Sequence, residues 1–290
     1  MEKNLLFIFL KLKSRLFSAL PRFLSLFLGR ALGLFLYFII PLRKRVALIN
    51  LKVAFPKKTD YERKQILKKC YMHFGMLVSE FLRLPKLNES NISNIIKLDL
   101  NTKKILDDNR PGIIMTGHFG NWEMFLPVLG YNNYKVSGVA QIQKNKAGQK
   151  FFSWLRECPN TTIILKKSSI KSISDTLDDK NHLILISDQY AGSKGTENIF
   201  FNHLTSTPKG AAIFHSKKNV PIILIFIFMN ADYSYSIHSK ELIPNNENGN
   251  QKLNIKEINQ IYNQELEKIV IKSPEQYFWF HKKWDRKIYK

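Results

Sequence analysis

A chain of 290 residues, 44% of them hydrophobic, can bury a sizeable core of its own, and no internal repeat marks it as an array. Its 45 lysines and arginines against 23 acidic residues leave a formal charge of +22, which points to acidic partners: nucleic acid, an anionic membrane surface or an acidic protein. Cys70 and Cys158 stand in no CxxC or metal-ligand spacing and carry no catalytic signature, which suits a cytoplasm-facing protein with two ordinary reduced thiols.

Residues 5–42 are dominated by Leu and Phe, interrupted by Lys11, Lys13, Arg15, Arg22 and Arg30. From Phe23 to Leu42 only Arg30 is charged, so this stretch approaches the ~20 apolar residues of a bilayer span, with snorkelling to relieve part of the arginine's cost. No small-residue cleavage pattern follows it. Instead comes PLRKRVALINLKVAFP, basic and amphipathic, whose Arg43-Lys44-Arg45 favours a cytoplasmic flank. The expectation is a retained N-terminal membrane anchor over 1–45, spanning or lying in the interface, with a buried core helix as the alternative. A second unit runs over 46–290.

Residues 59–84 read as a helix: Thr59 and Glu62 form a capping box, and Ile66, Cys70, Phe74, Leu77 and Phe81 follow at helical spacing until Pro85. A helix over 101–109 is broken by Arg110-Pro111-Gly112. Strands are expected at 112–116, 135–140, 162–165 and 182–187, the first and last of them buried, with helices near 120–130, 146–157 and 169–178 between them. A helix near 207–218 precedes a long strand at 220–229, and 233–239 alternates like an antiparallel neighbour. A polar loop covers 245–250, and 254–272 forms a last helix. Strands alternating with helices imply an α/β fold with a mostly parallel central sheet flanked by helices. No dinucleotide fingerprint or P-loop accompanies it.

The most chemical stretch is Gly117-His118-Phe119-Gly120-Asn121-Trp122-Glu123, at the end of the first expected strand, where ligands of open α/β sheets gather. The two glycines permit a sharp turn and a close approach of substrate. With a helix beginning near Gly120, His118 in the turn and Glu123 in the first helical turn meet. His118 then serves as general base towards a hydroxyl attacking an acyl carbonyl, Glu123 fixes its tautomer, and backbone amides at the helix start steady the oxyanion. No G-x-S-x-G elbow is present, so direct transfer without an acyl-enzyme is the simpler chemistry.

This stretch resembles the H-x4-D/E motif of glycerolipid acyltransferases and, in its GHFGNWE wording, most resembles the lipid A late acyltransferases. Further landmarks in family order extend the resemblance over nearly the whole chain. They are the basic apolar N-terminus, the wording from Arg45 through Asn50 to Ala54-Phe55-Pro56, Glu80 with Arg83, Asp188-Gln189, Phe200-Phe201 with Thr205–Gly210, and PEQYFWFHKKW over 274–284. The resemblance implies transfer of a fatty acyl group from acyl carrier protein to an anionic lipid A precursor, with no cofactor and no metal. It places the enzyme at a bacterial inner membrane with the catalytic domain on the cytoplasmic face. It also implies substrate contacts at Gly117, Asn121, Gln141, Asn145, Asp188, Gln189, Thr207, Lys209, Lys282 and Lys283. Two departures bear on the acceptor. Gln141 stands where the family often has arginine, although Asn145 matches, which leaves Lys144 or Lys146 to hold the acceptor's charges. The terminal H-R-R becomes His281-Lys282-Lys283, which keeps charge but loses bidentate geometry.

Other features carry two readings each. Thr207 reads as an N-cap with Pro208 at the first helical position, a phosphate site with Lys209 or a plain cap. Asp188 and Gln189, following a buried strand, are functional or cap a turn. His182 lies in no metal-ligand spacing. His73, His203, His215 and His238 read as surface or packing residues. The aromatic and basic terminus from Tyr277 to Trp284 suits either a bilayer interface or the underside of the last helix. Acyl transfer to another acceptor (a lysophospholipid, mannolipid or aminolipid) stays open, as does a non-catalytic basic protein binding membrane or nucleic acid, although no nucleic-acid motif appears.

Overall fold

The structure is a computed structural model that describes residues 2–107, 110–166, 170–178, 181–243 and 253–290. Helices α1 (Glu2–Ala19), α2 (Arg22–Phe38), α3 (Lys44–Ala54), α4 (Asp60–Arg83), α5 (Glu89–Ile92) and α6 (Leu100–Leu106) come first. The α/β body follows: β1 (Ile113–Thr116), α7 (Phe125–Tyr131), β2 (Val136–Ala140), α8 (Lys146–Leu155), β3 (Thr161–Leu165), α9 (Ile170–Asp178) and β4 (His182–Ile186). The hairpin β5 (Gly195–Phe200) and β6 (His203–Pro208) leads to α10 (Gly210–Lys218), β7 (Ile222–Met229), β8 (Tyr235–Ile243) and α11 (Ile255–Lys272). The polar loop expected at 245–250 lies outside the described residues.

The six-stranded sheet has the order β3-β2-β4-β1-β7-β8. All its pairs are parallel except β7 with β8, the one antiparallel neighbour expected from the alternation over 233–239. Alternate side chains of β1 and β7 feed two cores, Ile113, Met115, Leu224 and Phe226 on one face and Ile114, Ile223, Ile225 and Ile227 on the other. Burial on both faces is why these strands read as continuous apolar runs. The capping box at Thr59 forms as expected, Thr59 Oγ1 accepting from the Glu62 N–H and the Glu62 carboxylate accepting from the Thr59 N–H.

The N-terminal region departs from expectation. No described helix is long and apolar enough to cross a membrane. Pro21 separates α1 from α2, and the 17 residues of α2 are about 26 Å long, short of a hydrocarbon core of about 30 Å. Rather than anchoring the chain, α2 lies along α4 as part of the body. Gly29 and Gly33 touch α4 backbone to backbone: a Cβ at Gly33 would stand 2.1 Å from the Tyr71 carbonyl oxygen, and one at Gly75 2.1 Å from that of Gly29. Polar ties complete the docking. Arg22 donates to Glu80 at 2.9 Å and to the Tyr233 carbonyl at 2.6 Å, and Arg83 caps the carbonyls of Phe17 and Leu20 at the end of α1. Arg30, expected to snorkel, donates to the Tyr233 hydroxyl. The face of α1 and α2 turned away from the body keeps Leu12, Leu16, Phe23, Phe27, Phe38 and Ile39 exposed.

Candidate active site

β1 and β4 are neighbours whose last residues, Thr116 and Ile186, are in register, so the loops leaving them meet above the middle of the sheet. One loop carries His118 and the other Asp188. Gly120, at φ +57°, gives the first loop its reversal, and a Cβ there would stand 1.8 Å from the Ile227 carbonyl oxygen, so the position requires glycine. The Gly120 N–H donates to Gln276 and the Asn121 N–H to Ile227, while the His118 carbonyl accepts from the Phe278 N–H. The loop is thereby clamped between β7 and the C-terminal segment. Asn50 on α3 holds that segment in turn, donating to the carbonyls of Trp279 and His281 at 2.6 Å each.

His118 Nδ1 lies 2.7 Å from Asp188 Oδ1. Burial opposes ionisation of Asp188, but His118 and Lys283 beside it outweigh that cost and hold its carboxyl down at about 2. A carboxylate only accepts hydrogen bonds, so the proton sits on Nδ1 and Nε2 carries the lone pair. Gly117 lies close against this carboxylate, and a Cβ there would stand 3.3 Å from the Asp188 side chain. Behind the carboxylate, Lys283 is buried and donates to the Asp188 carbonyl at 2.6 Å, and burial pushes its ammonium down to about 8. Gln189 Nε2 stands 3.4 Å from His118 Nε2 and 3.0 Å from His281 Nε2, bridging the two imidazoles.

Glu123 takes a different partner from the one expected. Its carboxylate receives two hydrogen bonds from Arg156, at 2.8 and 2.7 Å, while the Trp122 indole packs against the His118 ring at 5.0 Å between centroids. The reason is local: the chain runs through a short 3-10 turn at Trp122–Met124 before α7, which points Glu123 along the cavity wall towards the end of α8. Of the amides expected to steady an oxyanion, those of Phe119, Gly120 and Asn121 are already bound to protein carbonyls.

His118, Glu123, Arg156 and Gln189 line a cavity of about 1000 Å³ that opens over the carboxyl ends of β2 and β4. Its lining includes the apolar Phe125, Leu126, Phe152, Ile163 and Ile184 and the basic Lys166, Lys194 and Lys209. Gln141 and Lys209 reach the cavity as expected. Asn121, Asn145 and Thr207 do structural work instead. Asn121 is buried and donates to the Tyr235 hydroxyl, Asn145 caps α8, and Thr207 accepts from Asn263. Thr207 is not an N-cap because β6 pairs with β5 as far as Pro208, so α10 starts only at Gly210. Lys282 lies over the Tyr289 ring. His182 stands at the opposite end of β4 from Asp188. Tyr277, Trp279 and Trp284 are buried, so the terminal aromatics pack inside. Arg156, at the end of α8, is a member of the site that no motif marked, while the His281 ring arrives from the C-terminal stretch that the resemblance singles out.

A buried carboxylate orienting a histidine beside a cavity lined by both apolar and basic side chains is an arrangement suited to taking a proton from a hydroxyl. The chain belongs to the bacterial lipid A biosynthesis acyltransferase family, whose sequence model matches residues 5–286. It is 22% identical to the lipid A biosynthesis palmitoleoyltransferase of Escherichia coli (strain K12), over 92% of this chain and 87% of that protein. The same figures hold for the lipid A biosynthesis acyltransferase of Shigella flexneri. The protein is thus an acyltransferase.

Proposed function

We propose that this acyltransferase moves a fatty acyl group from the thioester of acyl carrier protein to a hydroxyl of an anionic lipid A precursor, at the cytoplasmic face of a bacterial inner membrane. The observation that carries the reading is the His118–Asp188 pair, whose imidazole lines the cavity. Nε2 of His118 takes the proton of the acceptor hydroxyl as its oxygen attacks the thioester carbonyl. The carbon–sulfur bond then breaks, and the same proton passes from His118 to the leaving thiolate. Asp188 stabilises the imidazolium formed in between. Glu123 holds Arg156 in place, and that guanidinium supplies a fixed positive charge for the carbonyl oxygen as it becomes negative. Lys166, Lys194 and Lys209 suit the phosphates or carboxylates of the acceptor, and the formal +22 suits an acidic carrier protein as well. The exposed apolar residues of α1 and α2 supply a face able to lie in the head-group region, where the lipid acceptor is met.

The test is acyl transfer by membranes containing the wild type or His118→Ala, given acyl carrier protein thioester and, separately, a lipid A precursor or a lysophospholipid. Transfer to the lipid A precursor that falls at least about 10²-fold in the variant is expected. Turnover unchanged by His118→Ala would sink the mechanism, and transfer to the lysophospholipid alone would replace the acceptor.

A further inference from the structure

The apolar lining of the cavity has a gap in it. Ile163 of β3, Gly138 of β2 and Ile184 of β4 are register partners, so they form one row across the sheet, and all three line the cavity. The middle place in that row has no side chain. Glycine weakens a strand interior and marks places where something approaches the backbone. Here the neighbours do not require it for space: a Cβ at Gly138 would meet Leu126 Cδ2 at 3.6 Å and Ile163 Cδ1 at 3.8 Å, ordinary contacts. Nor does φ require it, since Gly138 is not among the described positive-φ residues. Those contacts to Leu126 and Ile163 leave room for a methyl group at Gly138, and the position lines the cavity. The row lies two residues, about 7 Å at ~3.3 Å per residue, below the strand end that carries the Asp188 loop. An apolar chain entering past His118 therefore meets this gap at the bottom of its path.

We propose that Gly138 sets the length of fatty acyl chain that the enzyme accepts from its donor, with Leu126 forming the facing side of the slot. This rests on the acyl-transfer reading given above. A side chain at 138 raises the floor and shortens the slot. Trimming Leu126, which packs over the same gap, deepens it. One methylene in an apolar pocket is worth about 10–200-fold in discrimination, so donors differing by a few methylenes report the floor sensitively.

The experiment measures kcat/KM of the full chain in detergent with a series of saturated acyl carrier protein thioesters, short to long, at one fixed lipid A precursor. Gly138→Ala, Gly138→Val and Leu126→Ala are compared with the wild type, and thermal unfolding of each is followed in parallel. Gly138→Val is expected to move the donor optimum to shorter chains, the longest donor losing at least about tenfold relative to the shortest. Leu126→Ala is expected to move the optimum to longer chains, a gain that misfolding cannot produce. If Gly138→Val does not fold, the Gly138→Ala and Leu126→Ala profiles decide the matter. Active variants that keep the wild-type donor profile would overturn the inference and leave the acyl-transfer reading standing. So would a change confined to preference among acceptors with different acyl tails, because the slot would then belong to the acceptor. A wild type that transfers from no donor would remove the acyl-transfer reading, and this inference with it.

Discussion

Asp188 shows how much one residue's surroundings decide. In sequence it is an acid after an apolar run, as well suited to capping a turn as to chemistry. In the structure it is 2% exposed and held ionised by His118 and by Lys283. A buried carboxylate is tolerated only when it is matched in this way. Asp188→Asn keeps the shape but offers an amide in place of a charge, so the imidazolium loses its stabilisation and the tautomer is no longer imposed. The expected result is a fall in kcat of about 10²–10⁴-fold with KM for the acceptor little changed, measured by acyl transfer under saturating donor. Glu123 belongs to the same lesson from the other side. Its place in the H-x4-E stretch was legible, but its partner was not, because Arg156 is 33 positions away and no spacing rule links them.

At the scale of elements, α4 ties the site to the N-terminal helices. His73, in its middle, is buried and lies 3.3 Å from the Gly120 carbonyl, so it supports the loop bearing His118. Burial pushes its imidazole down to about 4, and burial does the same to His182 at the base of β4. Both folded values lie below the usual 6.5, so between pH 6.5 and about 4 the unfolded chain binds more protons than the folded one. Stability is therefore present in full above pH 6.5 and is lost on acidification through that window, by roughly 3 kcal/mol for each histidine. Urea unfolding midpoints should fall from neutral pH to about pH 5, and His73→Phe should flatten the dependence. An unaltered slope in that variant would show that His73 does not contribute. Helix periodicity and the Thr59 capping box made α4 legible in advance. The docking of α2 on it was not, since Gly29, Gly33 and Gly75 reveal their role only once two backbones are in contact.

At the scale of the molecule, one face of α1 and α2 joins the body and the other exposes large apolar side chains between Leu5 and Leu42, bordered by basic residues. On the membrane role proposed above, salt-dependent attraction would draw the protein to an anionic bilayer and apolar contact with the head-group region would retain it. Sedimentation with anionic vesicles should recover the full chain, and Phe23→Ser together with Phe27→Ser should lower the bound fraction several-fold while leaving the fold intact. Both side chains point away from the body, at 74% and 64% exposed. Equal binding to neutral and anionic vesicles, insensitive to salt, would remove the electrostatic part of that account.

The sequence by itself determined the alternation of strands and helices, the both-face burial of the sheet, the capped helix over 60–83 and the position of His118 at a strand's end. Each of these is written in local periodicity, in turn chemistry or in a compact motif, and all lie within the reach of neighbouring residues. The tertiary structure alone decided that Asp188 rather than Glu123 meets His118, that Arg156 joins the site, and that the N-terminal helices pack on the body instead of spanning a bilayer. It also decided that Gly138 faces a cavity. The reason is physical: β1 and β4 are adjacent in the sheet but about seventy residues apart in the chain, as Ile113 pairing with Leu183 shows. What meets above such a pair depends on the order of strands and on close packing between distant segments, which local pattern does not encode.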